Sequence, residues 1–197
     1  NAYGSSPHGG VLVVAGDDHG CVSSSMPHQS DHAFQAFGMP IVAPADLSDV
    51  IEFGLYGYAL SRYSGAWVGL TALSEIVESG STVNLDAIHE RMATWADAEG
   101  VRTRTGHAPP ADGLHYRWPD LPSLRIETRL ADKHAAIAAF SAVNSIDRLV
   151  IAAPRAHVGV VTVGKAHLDF MEVLRRLQIT PAMLEEAGIR LLKVGLS

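Results

Sequence analysis

Near the carboxyl end of the sequence two short apolar runs, VGVVTVG and IRLLKV, stand on either side of KAHLDFMEVLRRLQ, whose apolar residues recur at helical spacing. No other stretch limits the fold as tightly. Runs of Val, Ile and Leu this short suit buried strands. Two strands joined through an intervening helix lie parallel, because the crossover carries the chain back to its starting edge before the second strand begins. The spacing predicts Ala166, Phe170, Val173, Leu174 and Leu177 on the core face of that helix, with a further short helix after Thr180-Pro181.

The rest of the chain extends the same theme. GVLVVAG (10–16) is continuous and β-branched, the pattern of a strand buried on both faces in a parallel sheet. MPIVAP supplies a second short strand bounded by Pro40 and Pro44. From Asp46, placed as N-cap, apolar residues recur at three and four through Leu47, Val50, Ile51, Leu55 and Tyr58, predicting a helix that ends near Arg62, a basic charge set favourably against the dipole. RYSG (62–65) then opens the strand AWVGLTAL (66–73). Residues 86–99 carry Ile88, Met92 and Trp95 on one face of a weaker helix. Residues 101–124 hold four prolines and two glycines without apolar period and read as a linker. Beyond it come an alanine-rich helix, ETRLADKHAAIAAFSAVN, and the strand RLVIAA. Trp67 and Trp118 are assigned to packing, and His134 and His167 to helix surfaces. NAYGSS reads as a Gly/Ser-rich lead-in and is set aside. The fold class is α/β, a mostly parallel sheet with flanking helices followed by a partial Rossmann-like βαβ unit.

Charge excludes one class of partner. The formal net charge is -6, and the densest basic pair is Arg102 with Arg104, so no clustered cationic surface exists to neutralise nucleic-acid phosphates. No apolar run approaches the ~20 residues that cross a bilayer, which makes cytoplasmic residence the expectation. Cys21 is the only cysteine and can form neither an intrachain disulfide nor a thiolate cluster.

The chemistry concentrates in GDDHGCVSSSMPHQSDH (16–32), directly after the first strand. His28 and His32 are four apart, the spacing that aligns two imidazoles on a helix, and His19 and Asp31 extend the set. Gln29 stands where a zincin needs glutamate, however, and no residue is assigned as a metal ligand. Cys21 with His19 lacks any sign of thiolate activation, and the serines lack a G-x-S-x-G elbow. GVVTVGKA (159–166) has the letters of a phosphate loop, but Ala166 replaces the Ser or Thr that holds magnesium, and the residues between the glycines are strand-like. A strand-to-helix turn there can still offer Thr162, Gly164 and Lys165 to an anion. In open parallel sheets, ligands gather at the carboxyl ends of strands. That rule makes 17–32 a binding wall, with a self-capping turn, built by Asp17, Asp18 and the serines, as the alternative.

AGDDHGCVSSSMPHQSDHAF, LSRYSGAWVGL, RWPDLP, APRAHVGVVTVGKAHLD and GIRLLKVGL occur in that order. Together they resemble the large, fused form of the indolepyruvate ferredoxin oxidoreductase family, thiamine-diphosphate-dependent 2-oxoacid:ferredoxin oxidoreductases. The resemblance implies that residues 1–100 are the later part of a pyrimidine-binding thiamine-diphosphate domain, that 101–124 link it onward, and that 125–197 begin a transketolase-C-terminal-like domain. It implies oxidative decarboxylation of an aryl-pyruvate by the whole enzyme, with thiamine diphosphate, Mg2+ and [4Fe-4S] clusters supplying the carbanion and electron chemistry. It also implies that the glutamate contacting the aminopyrimidine, the Gly-Asp metal motif and the cluster cysteines lie outside this chain, which is then a fragment, inactive and without bound cofactor by itself. Its partners would be the remaining domains, ferredoxin and the 2-oxoacid, and exposed apolar surface suits a homodimer. No catalytic residue is assigned here; Asp17, Asp18, His19, Ser24, Ser25, His28 and Gln29 form the loop facing substrate or cofactor. A stand-alone α/β anion- or partner-binding module and a His/Asp metallohydrolase are the alternatives.

Overall fold

A computed structural model describes residues 1–120 and 123–197; the end of the RWPDLP string lies outside the described residues. The first sheet comprises β1 (Val11–Asp17), β2 (Ile41–Val42) and β3 (Trp67–Leu73) in the order β1-β3-β2, all parallel. Helix α1 (Asp31–Ala36) precedes β2, and α2 (Leu47–Ser64) joins β2 to β3. The first strand is not buried on both faces. Leu12 joins the core beneath α2 and Val13 and Ala15 pack with Phe34 of α1, but β1 is an edge strand and Val14 stays 61% exposed.

Helix α2 begins where Asp46, in extended backbone, accepts the Asp49 amide at 2.8 Å. Its three- and four-residue spacing brings Phe53, Tyr56 and Leu60 onto one fully buried stripe against Val68 and Leu70. Full burial of the Phe53 and Leu60 side chains contributes about 1.5–3 kcal/mol of transfer free energy each. The helix passes Arg62 and runs to Ser64, so RYSG closes it instead of opening β3. Gly65 is the reason. Its φ is 72°, its amide donates to the Ser61 carbonyl, and a Cβ there would strike the carbonyl of Leu114. Gly69 permits a second close approach: a Cβ would sit 2.7 Å from the Phe34 ring.

Helix α3 (Ser74–Val77) follows β3. Where the apolar pattern predicts one helix over 86–99 there are two, α4 (Leu85–Met92) and α5 (Ala98–Thr105). Asp97 divides them by accepting the Gly100 amide at 2.9 Å and capping a new helix. The proline-rich segment therefore opens helically, with Val101 buried in the first core. Trp118 is 73% exposed and packs into no core. Helix α6 (Arg125–Val143) returns to α2, with the Phe140 ring 5.5 Å from Tyr56 and 5.3 Å from Tyr63. The lead-in is not loose. Asn1 accepts the Trp67 amide, Lys133 donates to the carbonyls of Asn1 and Ala2, and buried Ser5 donates to the carbonyl of Ser61.

The second sheet comprises β4 (Arg148–Ala152), β5 (Val158–Val163) and β6 (Ile189–Val194) in the order β4-β6-β5. The βαβ expectation holds: β5 and β6 are parallel and are joined through α7 (Lys165–Arg176) and α8 (Pro181–Glu186), whereas β4 runs antiparallel to β6. Ile151, Leu174, Leu184 and Leu191 form its core. Ala166, Val173 and Leu177 are exposed, and His167 is buried in their stead, because the helix turns the His167–Phe170–Leu174 side to the sheet.

One segment ties the sheets together. After β6 the chain pairs with β2: Ile41 and Ser197 exchange amide-to-carbonyl bonds of 2.7 and 2.9 Å, and the Ala43 amide donates to Gly195. Ion pairs secure the same junction. Lys193 of β6 meets Asp49 of α2 in the interior, and Glu52 of α2 receives Arg148 at 2.8 Å and Arg91 at 2.7 Å.

Candidate functional site

A cavity of about 730 Å³ opens at the carboxyl ends of β1, β2, β3 and β5, the position where parallel sheets place ligands. One wall is the predicted loop with the start of α1, contributing His19, Gln29, Asp31 and His32. The facing wall is the β5–α7 turn, contributing Gly164, Lys165 and Asp169. Met39, Ile41 and Leu73 supply apolar surface between them.

The loop is both a wall and a self-capped turn, through different residues. Asp18 is buried, and its carboxylate accepts the amides of Ser23 (2.7 Å), Val22 (2.8 Å) and Ser24 (3.0 Å). These donors hold its pKa down at about 2. Asp17 is buried too; it accepts the amide and hydroxyl of Ser30 at 3.0 and 2.7 Å and the Nδ1–H of His28 at 2.8 Å. An isolated antiparallel bridge between residues 18 and 28 closes the loop's neck. His28 is thereby turned to Asp17 and away from the cavity lining, and it precedes α1, so no helical pair with His32 exists. Ser24 and Ser25 are exposed at the loop tip and do not line the cavity. Gln29 lines it and donates to Asp31 at 2.9 Å.

Across the cavity the three residues assigned to an anion part company. Gly164 and Lys165 line it, with the Lys165 ammonium donating to Asp169 at 2.8 Å. Thr162 is buried on the other side of the strand: its hydroxyl donates to the Leu192 carbonyl and accepts from His167 Nδ1 at 2.9 Å. Burial, then the nearby Lys193 charge, pushes the His167 pKa below its ordinary value.

Asp31, His32, Thr71, Glu75 and Asp169 also line the cavity but are absent from the predicted substrate-facing set. A signal for some of them was present. Glu75 follows the carboxyl end of AWVGLTAL, where the strand-end rule applies as it does to the first strand. Asp169 stands four residues after Lys165, the spacing of a helix-surface ion pair.

The resemblance implies thiamine diphosphate, whose aminopyrimidine requires a buried carboxylate. Among the described residues the carboxylates lining the cavity are Asp31, Glu75 and Asp169, none of them buried. The buried Asp17 and Asp18 are held by loop donors, so these residues do not fit the cofactor's anchor. No helix among the described residues is long and apolar enough to cross a membrane. No protein-family model and no curated protein sequence matches the chain.

Proposed function

We propose that this chain builds the substrate-side wall of a 2-oxoacid site within a 2-oxoacid:ferredoxin oxidoreductase of the indolepyruvate type. One observation carries the reading. The two resemblance strings at 15–34 and 153–169, remote in sequence, supply the facing walls of one cavity at the strand ends. Lys165 and the first amides of α7 suit the substrate carboxylate, His19 and Gln29 suit the keto oxygen, and Met39, Ile41 and Leu73 suit an aryl group. Thiamine diphosphate with its Mg2+, the [4Fe-4S] clusters and the contact with ferredoxin belong, on this reading, to the remaining domains. The chain alone is then catalytically silent. A cytoplasmic homodimer is the working assembly.

The test is titration of the chain with phenylpyruvate, followed by amide and side-chain NMR. Shifts are expected at His19, Gln29, Gly164 and Lys165. A charged hydrogen bond is worth about 1.5–3 kcal/mol, so Lys165→Ala weakens binding about tenfold or more. Shifts confined to other surfaces, or binding indifferent to Lys165→Ala, refute the reading. The Gly164–Lys165 turn also favours a stand-alone anion-binding module. In that case inorganic phosphate competes as well as phenylpyruvate does.

A further inference from the structure

We propose that Asp17, His19 and Asp31 form a site for one divalent transition-metal ion at the edge of the cavity. A carboxylate oxygen of each aspartate and a ring nitrogen of His19 all lie within 4.8 Å of one another, a grouping that small side-chain motions draw onto a single ion. The residues come from firm supports: Asp17 ends β1, His19 follows two residues later, and Asp31 opens α1.

The hydrogen-bond inventory leaves room for a cation. An ionised carboxylate offers about four lone-pair positions. Asp17 uses three, two on Oδ1 for His28 and the Ser30 hydroxyl and one on Oδ2 for the Ser30 amide, which leaves one on Oδ2. Such fixed outer partners orient a metal-binding carboxylate. Among the described residues Asp31 accepts only Gln29, and His19 makes no side-chain hydrogen bond. Two carboxylates this close repel each other, and Lys165 on the facing wall is engaged by Asp169. A cation between them removes the repulsion. Mixed imidazole and carboxylate donors without thiolate suit Zn2+ and its first-row neighbours. His19 and Asp31 line the cavity, so an ion they held would be reachable from it. With an imidazole in the donor set and no diphosphate, this is a different site from the Mg2+ that accompanies thiamine diphosphate. It also differs from the His28–His32 pair suggested by spacing.

The experiment is calorimetric titration of the full chain with Zn2+ alone, repeated with Co2+ for its visible spectrum. Because no oxoacid is added, its outcome is independent of the substrate reading. One equivalent is expected, with the His19 ring resonances shifted. His19→Ala and Asp31→Asn each lower affinity at least tenfold, while His32→Ala, also on the cavity wall, leaves it unchanged. Both altered side chains are incompletely buried, and circular dichroism confirms that the variants fold. The proposal is overturned by the lack of saturable uptake, by several equivalents insensitive to His19→Ala, or by equal losses in His32→Ala and His19→Ala.

Discussion

Replacing Lys193 by methionine tests how the two sheets are held together. Lys193 and Asp49 are almost fully buried, and they join β6 to α2. Removing one member of a buried pair costs about 3–5 kcal/mol, chiefly because the other charge is left without compensation. The two single variants differ here. After Lys193→Met, Asp49 keeps the Ala45 amide at 2.9 Å and Arg148 at 3.6 Å, so the expected loss is near the lower bound, about 3 kcal/mol. After Asp49→Leu, Lys193 keeps the face of the Phe53 ring 5.8 Å away but no carboxylate among the described residues, and the Ala45 amide loses its acceptor. That loss is nearer about 5 kcal/mol. The double variant removes both charges and is expected to be less destabilised than Asp49→Leu alone, with a coupling energy of at least about 2 kcal/mol. Urea unfolding of the four proteins measures the cycle. For a chain of this size the Lys193→Met loss lowers the melting temperature by roughly 6–12 °C. A Lys193→Met cost under about 1 kcal/mol, or additive single effects, would show that the junction does not depend on this pair.

Two further perturbations probe the cavity's polar wall and its support. Asp18 has a folded pKa of about 2, below the ordinary carboxylate value, so its contribution is fully present above that ordinary value and lost as pH falls through about 2. Amide exchange at Val22, Ser23 and Ser24 should accelerate across that window beyond the intrinsic trend, and Asp18→Asn should abolish the step; an unchanged step in the variant would remove Asp18 from the loop's account. Gly69→Ala places a methyl 2.7 Å from the Phe34 ring and should cost about 1–3 kcal/mol in denaturant unfolding, largely recovered by adding Phe34→Leu. A fully stable single variant would mean that α1 yields freely over the sheet.

The parts of the fold legible in the sequence are those set by local periodicity. The βαβ unit, the Asp46 cap and the strand AWVGLTAL follow from apolar spacing and capping chemistry, and each stands where that spacing puts it. Periodicity says nothing about which strand lies at an edge or how fully helices cover it, so the unbroken run before Asp17 reads as doubly buried although, among the described residues, β1 pairs only with β3 and its Val14 stays exposed. Nor does it weigh a polar cap against apolar continuity. Asp97 interrupts Ile88, Met92 and Trp95 with a new helix start, and Gly65 ends α2 in a left-handed turn where the distant Leu114 carbonyl leaves no room for a side chain. His167 looks like a surface residue on its helix, because its partners, Thr162 and the Leu192 carbonyl, lie on neighbouring strands that no local pattern links to it.

The loop at 17–32 shows why a site is harder to assign than a strand. Its residue types announce both a self-capped turn and a ligand wall, and these are exclusive only if every polar residue has to serve one purpose. The chain divides them. Asp17 and Asp18 are buried and gather amides, a hydroxyl and an imidazole, which fixes the backbone on either side. That fixed backbone sets out His19, Gln29 and Asp31 along the cavity. The distance to Gly164 and Lys165 depends on something else, the pairing of residues 195–197 with β2 and the Lys193–Asp49 contact behind it. A change at Lys193 should therefore disturb ligand binding at Lys165 without loosening the Asp18 turn. Comparing Val22–Ser24 amide exchange with phenylpyruvate affinity in Lys193→Met separates the two supports, and parallel loss of both would mean that they are one.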